Sequence, residues 1–93
     1  MKDYLKSLGI TKEGKMTGNI YTVHLDDSNE YGKIYSLLDK YDGLYENEED
    51  SEINSHSAKI LFEDDSYIIT IYADFDYDTY RLTVRELKEN EDD

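Results

Sequence analysis

The sequence predicts an α+β fold: a single small two-layer domain, with one main helix packed on a sheet made of a three-strand antiparallel meander and one further strand. Three observations carry this expectation. Residues 56–62, 67–73 and 79–84 are short runs rich in Ile, Leu, Val, Thr, Tyr and Phe, which suit a pleated, half-buried surface. Only residues 63–66 and 74–78 separate these runs. Connections that short join antiparallel neighbours, whereas a parallel pair needs a crossover of about a dozen residues or more. Third, Tyr31, Ile34, Leu38 and Tyr41, with Tyr35 and Leu37 beside them, follow the spacing of one apolar helix face.

Taken in order, residues 2–8 predict one or two helical turns with Tyr4, Leu5 and Leu8 on one side, stopped by Gly9. A helix this short is marginal unless it docks. Residues 11–18, broken by Gly14 and Gly18, read as a loop or hairpin region. Residues 19–25 read as a strand, with Tyr21, Val23 and Leu25 on one face and Ile20, Thr22 and His24 on the other. Asp27 as N-cap and Glu30 three residues later make a capping-box-like start to a helix over about 28–41, ended by Gly43. Residues 44–54 hold Glu46, Glu48, Glu49, Asp50 and Glu52 and no base, and are expected to be a mobile, solvated loop. The meander closes the fold, and an acidic tail at 88–93 is expected to fray. The 93 residues therefore form one domain: a short helix and loop at 1–18, a core at 19–87 and the tail.

Charge dominates the composition. The chain has 23 acidic and 10 basic residues, a formal net charge of −13. Lys2, Lys6, Lys12 and Lys15 against Asp3 and Glu13 give the first fifteen residues a net of +2, so the rest carries a net of −15. Such an excess disfavours direct binding to nucleic acid or anionic membrane and favours a basic protein partner with salt-sensitive association. A halophile's surface fits poorly, because the chain is rich in Ile, Lys, Asn and Tyr and poor in Ala and Gly. There is no cysteine, hence no disulfide framework or thiolate metal site. No run is long and apolar enough for a membrane span, and the N-terminus lacks the apolar stretch of a secretory signal, so a cytoplasmic location is expected.

The two meander turns contain six carboxylates (Glu63, Asp64, Asp65, Asp74, Asp76 and Asp78) and no base. Like charges repel, and turn formation alone requires fewer of them. Asp74, Asp76 and Asp78 open like a calcium loop, but Thr79 and Arg85 stand where the EF-hand pattern needs Gly and Glu. His24 and His56 have no spacing that demands a shared metal. No nucleophile motif, acid/base context or Gly-rich phosphate loop is present, so neither an enzyme nor a cofactor is expected. Ten tyrosines form the second signal. Tyr31, Tyr41 and Tyr80 read as inward-facing. Tyr67 and Tyr77 lie beside acids, a combination suited to recognising Arg and Lys. The candidate partner-binding residues are thus Glu46, Glu48, Glu49, Asp50, Glu52, Glu63, Asp64, Asp65, Tyr67, Asp74, Asp76, Tyr77 and Asp78.

In composition and in the layout of Glu46–Glu52, Glu63-Asp64-Asp65 and Asp74-x-Asp76-x-Asp78, the chain resembles the small acidic phage-encoded anti-CRISPR and anti-restriction (DNA-mimic) inhibitor proteins. The resemblance implies a non-enzymatic inhibitor acting in the cytoplasm of a bacterial host. Its partner would be a CRISPR effector nuclease or restriction enzyme whose DNA-binding cleft it blocks. The spacing gives separate physical support. Acids two apart on an extended chain stand about 6.6 Å apart on one face, comparable with phosphates that rise about 3.4 Å per nucleotide. An antitoxin- or immunity-type module holding a basic partner is the alternative, followed by a small metal-binding protein.

Overall fold

Backbone pairing extends well beyond the meander. A computed structural model of the chain describes residues 2–87, so the expected frayed tail at 88–93 lies outside the described residues. The elements are α1 (Lys2–Ser7), β1 (Lys15–Thr17), β2 (Ile20–Leu25), α2 (Ser28–Lys40), β3 (Tyr45–Glu46), β4 (Glu52–Ile53), β5 (Ser57–Glu63), β6 (Tyr67–Asp74) and β7 (Thr79–Glu86). All seven strands join one antiparallel sheet in the order β1-β2-β7-β6-β5-β3, with β4 also on β5.

This corrects the expected sheet of a three-strand meander plus one further strand. The additional strands are two or three residues long, too short to show a period of two. They form because the outer edges of β2 and β5 would otherwise leave backbone donors and acceptors unpaired. The expected mobile loop at 44–54 is corrected with it. Tyr45 and Glu46 pair with Glu63 and Phe62, and Glu52 and Ile53 pair with Lys59 and Ala58. Between these two short strands the Asn47 N–H donates to the Leu61 carbonyl at 2.8 Å. The Leu61 N–H donates to the Ser51 hydroxyl oxygen at 3.0 Å. The stretch is a broken edge strand carrying acids, one way to blunt a sheet edge against further pairing.

One face of the sheet is apolar. Tyr21, Val23, Leu25, Ala58, Ile60, Phe62, Ile69, Ile71, Ala73, Tyr80, Leu82 and Val84 are buried on it, every second residue along each strand, and Thr70 of β6 is buried on the opposite face. Helix α2 covers β2, β6 and β7, burying Ile34 and Leu38. Its start is the predicted one: the Glu30 N–H donates to Asp27 Oδ1 at 2.9 Å, while Glu30 Oε1 accepts from the Asp26 N–H. The apolar face is narrower than the periodicity suggests, because Leu37 and Tyr41 are substantially exposed. Tyr41, read as inward, is instead the extended C-cap.

The N-terminal segment contributes more to the core than its sequence suggests. Leu5, Leu8 and Ile10 are buried together with the sheet residues. Helix α1 ends in a Schellman arrangement, with Ile10 N–H to Leu5 O and Gly9 N–H to Lys6 O, and Gly9 takes a φ of +92°. The following loop passes close to β2 at Gly14, whose N–H donates to the Tyr21 hydroxyl at 2.7 Å. A Cβ there would overlap the carbonyl oxygen of Thr22.

Tyr31 packs against Tyr80, and its buried hydroxyl has no hydrogen-bond partner among the described residues. Burial pushes its pKa up to about 12. Tyr31→Phe removes an unsatisfied polar atom and keeps the ring, so it should raise stability by roughly 0.5–1 kcal/mol in chemical denaturation. A clear loss would show that the hydroxyl is bonded.

Candidate functional site: an acidic pole at one end of the sheet

The turn after β5 and the turn after β6 lie at opposite ends of β6, about 24 Å apart for eight residues of strand. The structure decides which end the acidic edge segment joins. Asn47 Nδ2 donates to Glu63 Oε2 at 2.8 Å and to Asp50 Oδ2 at 3.1 Å, and Asn47 Oδ1 accepts from the Asp50 N–H. The segment is thereby folded against the β5–β6 turn. Glu46, Glu48, Glu49, Asp50, Glu63, Asp64 and Asp65 gather at this end, and among the described residues none of them has an ion-pair partner. Glu52 lies further along the edge, opposite Lys59.

Several of these acids have work inside the fold. Asp64 Oδ1 accepts from the Ser66 and Tyr67 N–H groups, and its Oδ2 accepts from the Tyr4 hydroxyl at 2.7 Å. Partial burial alone would raise the Asp64 carboxyl. The hydroxyl and the two amides outweigh it and hold the group below its usual value. The same burial, followed by the bond to Asp64, pushes the Tyr4 hydroxyl well above its ordinary range. Tyr67 stacks on Tyr4 with ring centroids 3.9 Å apart, so its ring is engaged within the fold. Glu46 accepts from the Tyr35 hydroxyl at 3.4 Å. Glu48, Glu49 and Asp65 are exposed and have no hydrogen bond among the described residues that would fix them.

At the opposite end, Asp74 Oδ1 accepts from the Asp76 and Tyr77 N–H groups, and Asp78, at a φ of 55°, accepts from the Tyr80 hydroxyl. Asp76 meets His56 Nδ1 at 3.2 Å. Tyr77 is 80% exposed. This turn therefore has fewer free charges than its sequence suggests: Asp74 is tied to backbone amides, Asp78 to the Tyr80 hydroxyl, and Asp76 has a basic neighbour. No cluster of three His, Cys, Asp or Glu side chains suited to a metal ion occurs among the described residues. No helix among them is long and apolar enough to cross a membrane.

Asn47 is the residue that sequence reasoning passed over. An Asn just ahead of an acidic run is a turn former whose amide can bond backbone and carboxylate alike, but its contact with Glu63 depends on β3 pairing with β5.

The Tyr4–Asp64 bond has a defined pH signature. Because the Asp64 pKa is lowered from its ordinary 3.8, its contribution is complete above that value and is lost as pH falls through the lower folded value. Tyr4→Phe should cost about 0.5–1 kcal/mol at neutral pH, the low end for a charged acceptor because Asp64 is largely solvated. The cost should shrink towards zero in strongly acid solution, once the pH has fallen through the lowered Asp64 value. Parallel denaturation of parent and variant at both pH values reads this directly, and a pH-independent difference would rule the linkage out.

No family model, curated protein or solved structure matches the chain.

Proposed function

We propose that the chain is a phage-type inhibitor that occupies the basic nucleic-acid cleft of a bacterial CRISPR effector nuclease or restriction enzyme through the acidic pole. One observation carries this reading. Asn47 folds the edge segment onto the β5–β6 turn, so seven carboxylates are presented together and unpaired. Carboxylates gathered at one end of the sheet, some held by hydrogen bonds and the others free to adjust, suit a cleft lined with Arg and Lys. Such a contact needs no chemistry from the chain, so no catalytic group or cofactor is called for. The bacterial cytoplasm is where these targets act.

The test separates charge from fold. Glu48→Gln, Glu49→Gln and Asp65→Asn remove three charges that hold nothing in place, and Asp76→Asn serves as the opposite-end control. Purified CRISPR effector nucleases and restriction enzymes would be assayed for DNA cleavage and for competition with duplex DNA at two salt concentrations. The triple variant should bind about tenfold more weakly, mainly through slower association, with a shallower salt dependence. Asp76→Asn should match the parent. If both variants bind as the parent does with the same salt slope, the pole is not the contact. Tight capture of a basic toxin without nucleic-acid competition would favour the immunity-type reading.

A further inference from the structure

The cations of this acidic chain are not scattered. Alternation away from the core places Lys15, His24, Lys59, Arg81 and Arg85 on the open face of the sheet, and these include both arginines of the chain. Among the described residues, Lys59, Arg81 and Arg85 have no ion-pair partner although acids outnumber bases more than two to one.

The pairing register sets His24, Arg81, Tyr72, Lys59 and Glu52 in one row across β2, β7, β6, β5 and β4. The Arg81 guanidinium carbon sits 4.3 Å from the centroid of the Tyr72 ring. Stacking holds the guanidinium by an aromatic face rather than by a carboxylate, which leaves its N–H edge free for a planar oxyanion. His24, Lys59, Tyr72 and Arg81 border a hollow of about 500 Å³, with Glu52 and Asp74 also on its wall. That volume is in the range that accepts a small ligand.

We propose that this hollow binds a small molecule through a carboxylate or phosphate group held by Arg81, with Lys59 and His24 as supporting donors. The two acids on the wall and the net charge of the chain disfavour a polyanion such as nucleic acid, whereas a single oxyanion brings far fewer like charges towards Glu52 and Asp74. The site is on the sheet face, distinct from the acidic pole, and its existence does not depend on the inhibitor reading.

Amide-detected NMR titration with inorganic phosphate in one arm and succinate in the other, at constant ionic strength, tests the proposal. Saturable shifts should concentrate around Arg81, Tyr72 and Lys59, and the tighter arm identifies the group the site prefers. Arg81→Gln should weaken binding at least about tenfold. Glu52→Gln should tighten it severalfold by removing a like charge, an effect that loss of folding cannot mimic. These side chains are on the open face, so an unchanged spectrum elsewhere shows that each variant remains folded. The proposal fails if neither probe saturates, if Arg81→Gln and Lys59→Gln leave the binding constant unchanged, or if Lys33 and Lys40 on α2 respond as strongly as the hollow.

Discussion

Leu38→Ala should destabilise the protein by about 2–5 kcal/mol, the range for truncating a fully buried leucine. Leu38 is completely inaccessible and lies where α2 crosses the sheet. The helix end cannot collapse onto the cavity without moving its cap, where the Tyr41 N–H is tied to the Leu38 carbonyl. In a domain of this size the change should lower Tm by at least about 8 °C. Leu37→Ala is the matched control. Leu37 is the same residue type one position earlier, but it is 41% exposed, so its truncation should cost well under half as much. Thermal and urea unfolding of the two variants would decide the matter. Equal losses would mean that α2 is rotated relative to the sheet.

Leu5→Ala should produce a loss of similar size, again about 2–5 kcal/mol, from a helix of only six residues. Helix α1 is too short to persist alone. Its order depends on Leu5 entering the core, where it is 1% exposed, with Leu8 and Ile10 beside it. Once Leu5 is truncated, the Schellman turn that closes on its carbonyl and the Tyr4–Asp64 bond lose their anchor. Hydrogen exchange should therefore show Leu8, Gly9 and Ile10 amides released before those of β6 and β7. Unchanged protection of these three amides, or a loss below about 1 kcal/mol, would show that the segment does not depend on Leu5.

These results also bear on how the acidic pole is held. The turn after β5 is anchored from two sides: Tyr4 reaches Asp64 from α1, and Asn47 reaches Glu63 from the edge segment. A change in the N-terminal helix should consequently loosen one wall of the pole without removing any of its charges. Under the proposed inhibitor reading, affinity lost through Leu5→Ala would appear as disorder of the contact, whereas loss through Glu48→Gln and Glu49→Gln would appear as a weaker salt dependence.

By itself the sequence determined the elements that carry their own period: the α2 face of Ile34 and Leu38, the Asp27–Glu30 start of that helix, the β2 alternation, and the three long strands of the meander. Each is local, because burial of one face demands a spacing of 3.6 or 2 within a single segment. The tertiary structure alone decided the rest. Strands β3 and β4 have too few residues to show a period and are defined by their pairing with β5, and β1, in a stretch that reads from the sequence as loop or hairpin, is defined by its pairing with β2. The meeting of Asn47 with Glu63, the burial of Leu5, and the row from His24 through Arg81 to Lys59 all join residues distant in the chain. Their register is set by which strands become neighbours, and no single segment encodes that.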